Sequence, residues 1–156
     1  MKRIIYIGLT LLLASVFQTS VSKLNYNLFF LVNFLSIFVV HWSMNINSIL
    51  STSLGTIAGL VQDSFSTGII GVSGLSKGVM GYLISKISSR IITRNYLSYF
   101  LIILTGVLTE LLIYLSVLHL INLKISVTER KILLLQPFIT AVLGGFVFYL
   151  IGKWKK

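Results

Sequence analysis

Long apolar runs alternate with short polar or basic stretches along this chain. A helix needs roughly 20 mostly apolar residues to cross the hydrocarbon core of a bilayer, and several of the runs approach that length. We predict six transmembrane helices, at residues 4–21, 28–44, 46–62, 67–87, 97–121 and 132–151. The pattern therefore predicts an all-α integral membrane protein in which residues 1–156 form a single polytopic domain.

Glycines lie on one face of the third predicted helix and recur at helical spacing in the fourth. Helix pairing in a bilayer depends on close packing, and glycines let two backbones approach. The two segments therefore predict a membrane hairpin whose smooth faces pack within the chain or receive a helix from another protein. The positions predicted for this packing or partner contact are Gly55, Gly59, Asp63, Gly71, Gly74, Gly78 and Gly81.

A short polar turn, 63–68, joins the two halves of this hairpin. Asp63 is expected either to form an Asx-type turn or helix cap or to bind a partner or form an ion pair. Ser66 or Thr67 is expected to cap the fourth helix, because serine and threonine side chains accept hydrogen bonds from the first free amides of a helix.

Two charged residues, Lys77 and Glu110, each lie near the middle of a predicted span. An uncompensated charge there costs roughly 2.5–3.5 kcal/mol on insertion scales. Their opposite signs and similar depth predict an intramembrane ion pair. A water-filled cavity, or a Lys77 stem that extends along apolar surface toward the interface, are the alternatives. Asn33, in the second predicted helix, is expected to bond another helix.

Composition supports the membrane assignment. The chain is 56% hydrophobic and 10% charged, which is typical of integral membrane proteins and not of soluble domains. The net charge of +10 comes from lysines and arginines at the ends of apolar runs. Nucleic-acid binding would instead predict a basic stripe or patch on one face, so we expect no nucleic-acid partner.

Few residues are available for catalysis or metal binding. The chain has no cysteine, two histidines and three acidic residues, so it offers no thiolate metal site and no paired-carboxylate or nucleophilic site. We expect no enzymatic activity and no cofactor. Lys2 and Arg3 precede the first apolar run, as in a signal peptide, but 20–22 is a poor cleavage site and we favour a retained first helix.

Basic residues also predict the orientation of the chain in the membrane. With six spans, the terminal side carries Lys2, Arg3, Lys86, Arg90, Arg94, Lys153, Lys155 and Lys156. The opposite side carries only Lys23, Lys124, Arg130 and Lys131. Because cytoplasmic loops are enriched in lysine and arginine, both termini are predicted to lie in the cytoplasm.

The hairpin sequence GTIAGLVQDSFSTGIIGVSGLSKGVMGYL resembles the central hairpin of the rod shape-determining MreD family. The matching positions are Gly55, Gly59, Asp63, Gly68, Gly71, Gly81 and Tyr82, with the run 74–77 also similar. An acidic residue in the fifth span, here Glu110, agrees as well. The chain departs from the family where many members have a proline before the second span and this one has residues 25–27, Asn-Tyr-Asn.

The resemblance implies a non-enzymatic subunit of the bacterial cell-elongation (rod) complex in the cytoplasmic membrane, acting in cell shape and lateral peptidoglycan synthesis. It implies direct binding to MreC, with MreB, RodA and a penicillin-binding transpeptidase joined through the complex, and contact with membrane lipids. It also implies a fold like that of the substrate-binding subunits of energy-coupling-factor vitamin transporters. Such a transporter subunit is the alternative function, although its Ala-x-x-x-Ala docking face is missing around Ala14.

Overall fold

A computed structural model of the chain describes residues 2–24, 32–65, 69–89, 95–122 and 127–154. The described residues form α-helices and turns, which confirms the prediction of an all-α fold. The helices are α1 (Lys2–Leu24), α2 (Phe34–Ser43), α3 (Ser48–Phe65), α4 (Val72–Ser88), α5 (Tyr96–Leu120) and α6 (Val127–Trp154).

The structure corrects two of the predicted helix boundaries. The second helix, predicted over 28–44, begins only at Phe34, because Asn33 has a non-helical backbone and its side chain accepts a hydrogen bond from the Ser36 amide at 3.1 Å. The fourth helix, predicted from 67, begins at Val72 after Gly71, whose φ of 104° lies in the left-handed region that glycine adopts readily. The predicted caps Ser66 and Thr67 lie outside the described residues.

The short helix α2 is the centre of the bundle. Within the described part of the chain it is the one helix that packs against every other helix. Leu35, Ser36, Val39 and Val40 on α2 are fully buried. Large apolar side chains on the outer faces of α1, α5 and α6 are exposed, as expected for surfaces that face lipid, while α2 lies at the centre of the buried interior.

The hairpin α3–α4 has the most extensive helix–helix packing in the described structure. Gly55 lies directly against the backbone of Lys77, and a Cβ added to Gly59 would lie 2.5 Å from the Gly74 Cα. Since real Cβ atoms do not approach that closely, any side chain at Gly59 would force the helices apart. The glycine faces predicted from the sequence thus face each other.

Among the described residues, two helices are long and apolar enough by themselves to cross a membrane. They are α5, Tyr96–Leu120, and Lys131–Leu150 within α6. The ten residues of α2 extend only about 15 Å at 1.5 Å per residue, half of the roughly 30 Å hydrocarbon core. Helix length and apolarity alone therefore support two of the six predicted spans.

Candidate functional site

A polar network lies at the centre of the bundle, where α2, α4 and α5 meet. Lys77 is 0% exposed and its ammonium forms an ion pair with the Oε1 of Glu110. The same ammonium donates to the Ser36 hydroxyl at 2.6 Å, and that hydroxyl donates to the Oε2 of Glu110. The structure thus brings together the two charged residues that the sequence singled out and adds a hydroxyl that binds both.

The two charged side chains of this network are buried away from water, and this loss of solvation raises the free energy of the folded state. Taking a carboxylate and an ammonium out of water costs several kcal/mol each unless their polar atoms are bonded. Both carboxylate oxygens of Glu110 accept hydrogen bonds. Oε2 accepts from the Ser36 hydroxyl, and Oε1 accepts from the side-chain amide of Asn33 at 3.3 Å. The Lys77 side chain ends at this carboxylate inside the bundle and does not extend to the membrane interface as the snorkelling alternative requires.

The break before α2 is stabilised by side chains of two other helices. Gln18 of α1 donates to the Val32 carbonyl at 3.4 Å and accepts from the Phe34 amide at 2.9 Å. The backbone amide of Asn33 donates to the Thr140 hydroxyl of α6 at 3.3 Å. Non-helical backbone within a bilayer requires such partners, because no water is available to it. Gln18 and Thr140 therefore allow a helix to begin in the bundle interior.

Asp63 holds the turn of the hairpin from the end of α3. Its side chain is buried, and its Oδ2 accepts from the Gly71 amide at 2.7 Å and from the Ser73 amide at 3.2 Å. These amides lie at the start of α4. The first N–H groups of an α-helix have no partner within the helix, and its N-terminal end carries a partial positive charge. The geometry corresponds to the helix-capping alternative, with the cap supplied by the preceding helix.

The predicted glycines divide into two groups by their surroundings. Gly55, Gly59, Gly78 and Gly81 lie between α3 and α4, where a Cβ would overlap backbone or side-chain atoms of the facing helix. Gly74 is less crowded and faces the Leu60 side chain, while Gly71 faces open space. The smooth surface predicted for a partner is thus largely used inside the chain.

A sequence model described as rod shape-determining protein MreD matches residues 1–154. The chain belongs to the MreD family. No curated protein and no solved structure matches it. The resemblance detected in the hairpin therefore extends over essentially the whole chain, and it identifies a membrane protein of the rod-shape system. The comparisons give no support to the transporter alternative.

The central network of this MreD-family chain includes residues that sequence reasoning missed. Ser36, Gln18 and Thr140 were not predicted to take part, although each is a buried polar residue within an apolar helix. Polarity inside an apolar run is the one signal that could have drawn attention to them. Among the described residues, no group of three or more histidine, cysteine or acidic side chains could hold a metal ion, and the network's polar atoms bond chiefly to one another.

Proposed function

We propose that this MreD-family chain is a non-enzymatic, multi-pass subunit of the bacterial rod complex that binds MreC directly within the cytoplasmic membrane. MreB, RodA and a penicillin-binding transpeptidase join through the complex, and both termini lie in the cytoplasm after six spans. The observation that carries the proposal is the family match over residues 1–154. The central network acts as structural support that fixes the helices presenting the partner surface.

The surface that we assign to MreC is the outer face of the hairpin. The inner face is occupied by glycine packing, whereas the outer one carries exposed apolar side chains, namely Ile57, Leu60, Leu75, Val79 and Tyr82. Close backbone packing inside the hairpin and the buried cap at its turn make this face rigid. A rigid surface lowers the entropic cost of binding a partner helix.

Cysteine crosslinking tests this surface directly, since the chain has no cysteine of its own. Ile57→Cys places a thiol on the outer hairpin face, where the native side chain is 56% exposed. The matched control is Leu112→Cys on α5, where the native side chain is 64% exposed. With single cysteines introduced along the MreC transmembrane helix, oxidation should crosslink MreC to the Ile57 variant and not to the Leu112 variant.

The possible outcomes separate the partner from its docking surface. Crosslinks that form only through Leu112→Cys would move the surface to α5 while leaving MreC as the partner. A wild-type chain purified from native membranes without MreC would contradict the partner assignment itself. Recovery of an ATPase pair with a transmembrane coupling subunit would replace the proposal with a transporter function.

A further inference from the structure

An apolar groove of about 270 Å³ opens on the side of the bundle between α1 and α6. Within the described residues, α1 packs against α2 and α3 and its backbone does not approach α6. The groove's walls are mainly Leu13, Ala14 and Phe17 from α1, Ile37 and Phe38 from α2, and Phe148 from α6. Such a groove in a membrane protein faces hydrocarbon.

The length of the groove favours one kind of occupant. Its α1 wall runs from Thr10 to Phe17, about 10 Å at 1.5 Å per residue. This is a third of the roughly 30 Å hydrocarbon core. A partner's spanning helix is about 10 Å wide and crosses the full thickness of the core, so a groove of this length fits part of an acyl chain better.

One end of the groove lies near basic residues. Trp42 donates its indole N–H to the Thr10 hydroxyl at 3.1 Å, and the His41 ring lies 5.0 Å from the Phe148 ring, so these residues share one level. From there α1 continues toward its first residues, Lys2 and Arg3, about 12 Å away, and α6 toward Lys153, about 8 Å away.

Negative charge is absent from this end of the groove walls. The sequences of α1 and α2 contain no acidic residue. The one acidic residue of α6, Glu129, lies in its first turn, far from Phe148. Lys155 and Lys156 add positive charge after α6 in the sequence. Since basic clusters beside a membrane attract anionic headgroups, the charge pattern complements an anionic lipid.

We propose that this groove holds one acyl chain of an anionic phospholipid whose headgroup binds the basic ends of α1 and α6. The site is distinct from the outer hairpin face assigned to MreC, and it does not depend on that assignment. The bound lipid fills the gap between α1 and α6 and joins the first and last helices of the bundle. It makes the stability of this MreD-family chain dependent on headgroup charge.

Quenching of Trp42 tests the proposal, because this residue lines the groove and the only other tryptophan is Trp154. The Trp154→Phe variant is reconstituted in phosphatidylcholine with a small fraction of lipid brominated on its acyl chain. Brominated phosphatidylglycerol should quench half of the Trp42 fluorescence at a mole fraction about fivefold lower than brominated phosphatidylcholine with the same chain. A difference in affinity of about fivefold is what one contact between a basic side chain and an anionic headgroup supplies. Equal quenching by the two headgroups overturns the proposal.

Two test variants, each with a matched control in that background, separate the groove from the charge. Ala14→Phe fills the groove and should abolish the headgroup difference, while Val142→Phe, on a half-exposed face of α6, should preserve it. Combined Lys153→Gln, Lys155→Gln and Lys156→Gln should bring the two lipids toward parity, while Lys131→Gln, at the opposite end of α6, should not.

The remaining outcomes also decide between a lipid and a protein occupant. An unchanged headgroup difference in Ala14→Phe overturns the groove as the site. Protection of Trp42 from both brominated lipids by added MreC overturns the lipid proposal in favour of a protein contact. If Ala14→Phe fails to fold, the headgroup comparison in Trp154→Phe alone still decides. MreC crosslinking through Ile57→Cys is unaffected by any of these results.

Discussion

Lys77 and Glu110 depend on each other because both are buried in the same water-poor interior. Lys77 also bonds Ser36, and Glu110 accepts from Ser36 and Asn33. Removing one charge leaves the other uncompensated, while removing both leaves neutral groups that can still share hydrogen bonds. The effects of substituting Lys77 and Glu110 on the free energy of unfolding should therefore be strongly coupled. A buried ion pair need not, however, stabilise a fold more than apolar residues would.

This coupling can be measured. Lys77→Met alone should lower the free energy of unfolding by about 3–5 kcal/mol, because it leaves a buried carboxylate without its cation. The double variant Lys77→Met/Glu110→Gln should lose less, since a neutral glutamine can still bond Ser36 and Asn33. A double-mutant cycle on unfolding in bicelles gives the coupling energy.

The matched control is Lys86→Met on the same helix. Lys86 is exposed and its ammonium lies 5.0 Å from the centre of the Tyr82 ring, so its loss should cost less than about 1 kcal/mol. If the effects of Lys77→Met and Glu110→Gln simply add in the double variant, the two side chains do not act as a pair.

The hairpin α3–α4 and the short helix α2 show how differently two elements can be encoded. The hairpin has glycines at helical spacing, and in the structure those faces meet each other. The central place of α2 follows from its contacts with every other described helix, which no periodic pattern records. Apolar residues cover most of the surface of α2, so its periodicity does not distinguish a central position from a lipid-facing one.

Two glycines offer a matched test of hairpin packing. Gly59→Ala should lower the free energy of unfolding by about 1–3 kcal/mol, the usual cost of overpacking, since its Cβ would lie 2.5 Å from the Gly74 Cα. Gly8→Ala should be neutral or stabilise by up to about 1 kcal/mol, because its Cβ meets nothing within 4 Å.

Thermal unfolding of both variants in the same detergent provides the comparison. Equal stabilities would show that α3 and α4 are not in close backbone contact in the membrane. The family resemblance of these glycines would then need a reason other than helix packing within the chain.

At the scale of the whole molecule, we expect the orientation in the membrane to follow from charges that lie outside the packed core. In the part of the chain that the structure describes, α5 and the stretch Lys131–Leu150 of α6 are long and apolar enough to cross a membrane on their own. In the proposed six-span topology, the other helices would depend on packing around α2 and on the central network. With the six spans that we propose, the basic terminal ends predict that both termini lie in the cytoplasm.

Single cysteines at two described loop positions test this orientation. In intact cells, a membrane-impermeant maleimide should label Asn122→Cys, after α5, and should label Ser89→Cys, after α4, only once the membrane is broken. The wild-type chain has no cysteine and serves as the unlabelled control. Labelling of both positions from the same side would exclude a spanning α5 between them.

The amino-acid sequence determined the features of this MreD-family chain that depend on local spacing and composition. These are its all-α class, its membrane character, the hairpin with facing glycines, and the two charges expected to pair. Each is encoded within one or two helical runs, because apolarity, helical period and the cost of an intramembrane charge act on single segments.

Only the tertiary structure decided where α2 begins and what surrounds its first residues. The Asn33 amide bonds Thr140, 107 positions away along the chain, and the Asn33 side chain bonds Glu110, 77 positions away. Local periodicity carries no information about which distant polar groups will meet. In a water-poor interior, however, each buried polar group needs a partner. The partners present here allow α2 to begin at Phe34, inside a run where the sequence predicted one helix over 28–44.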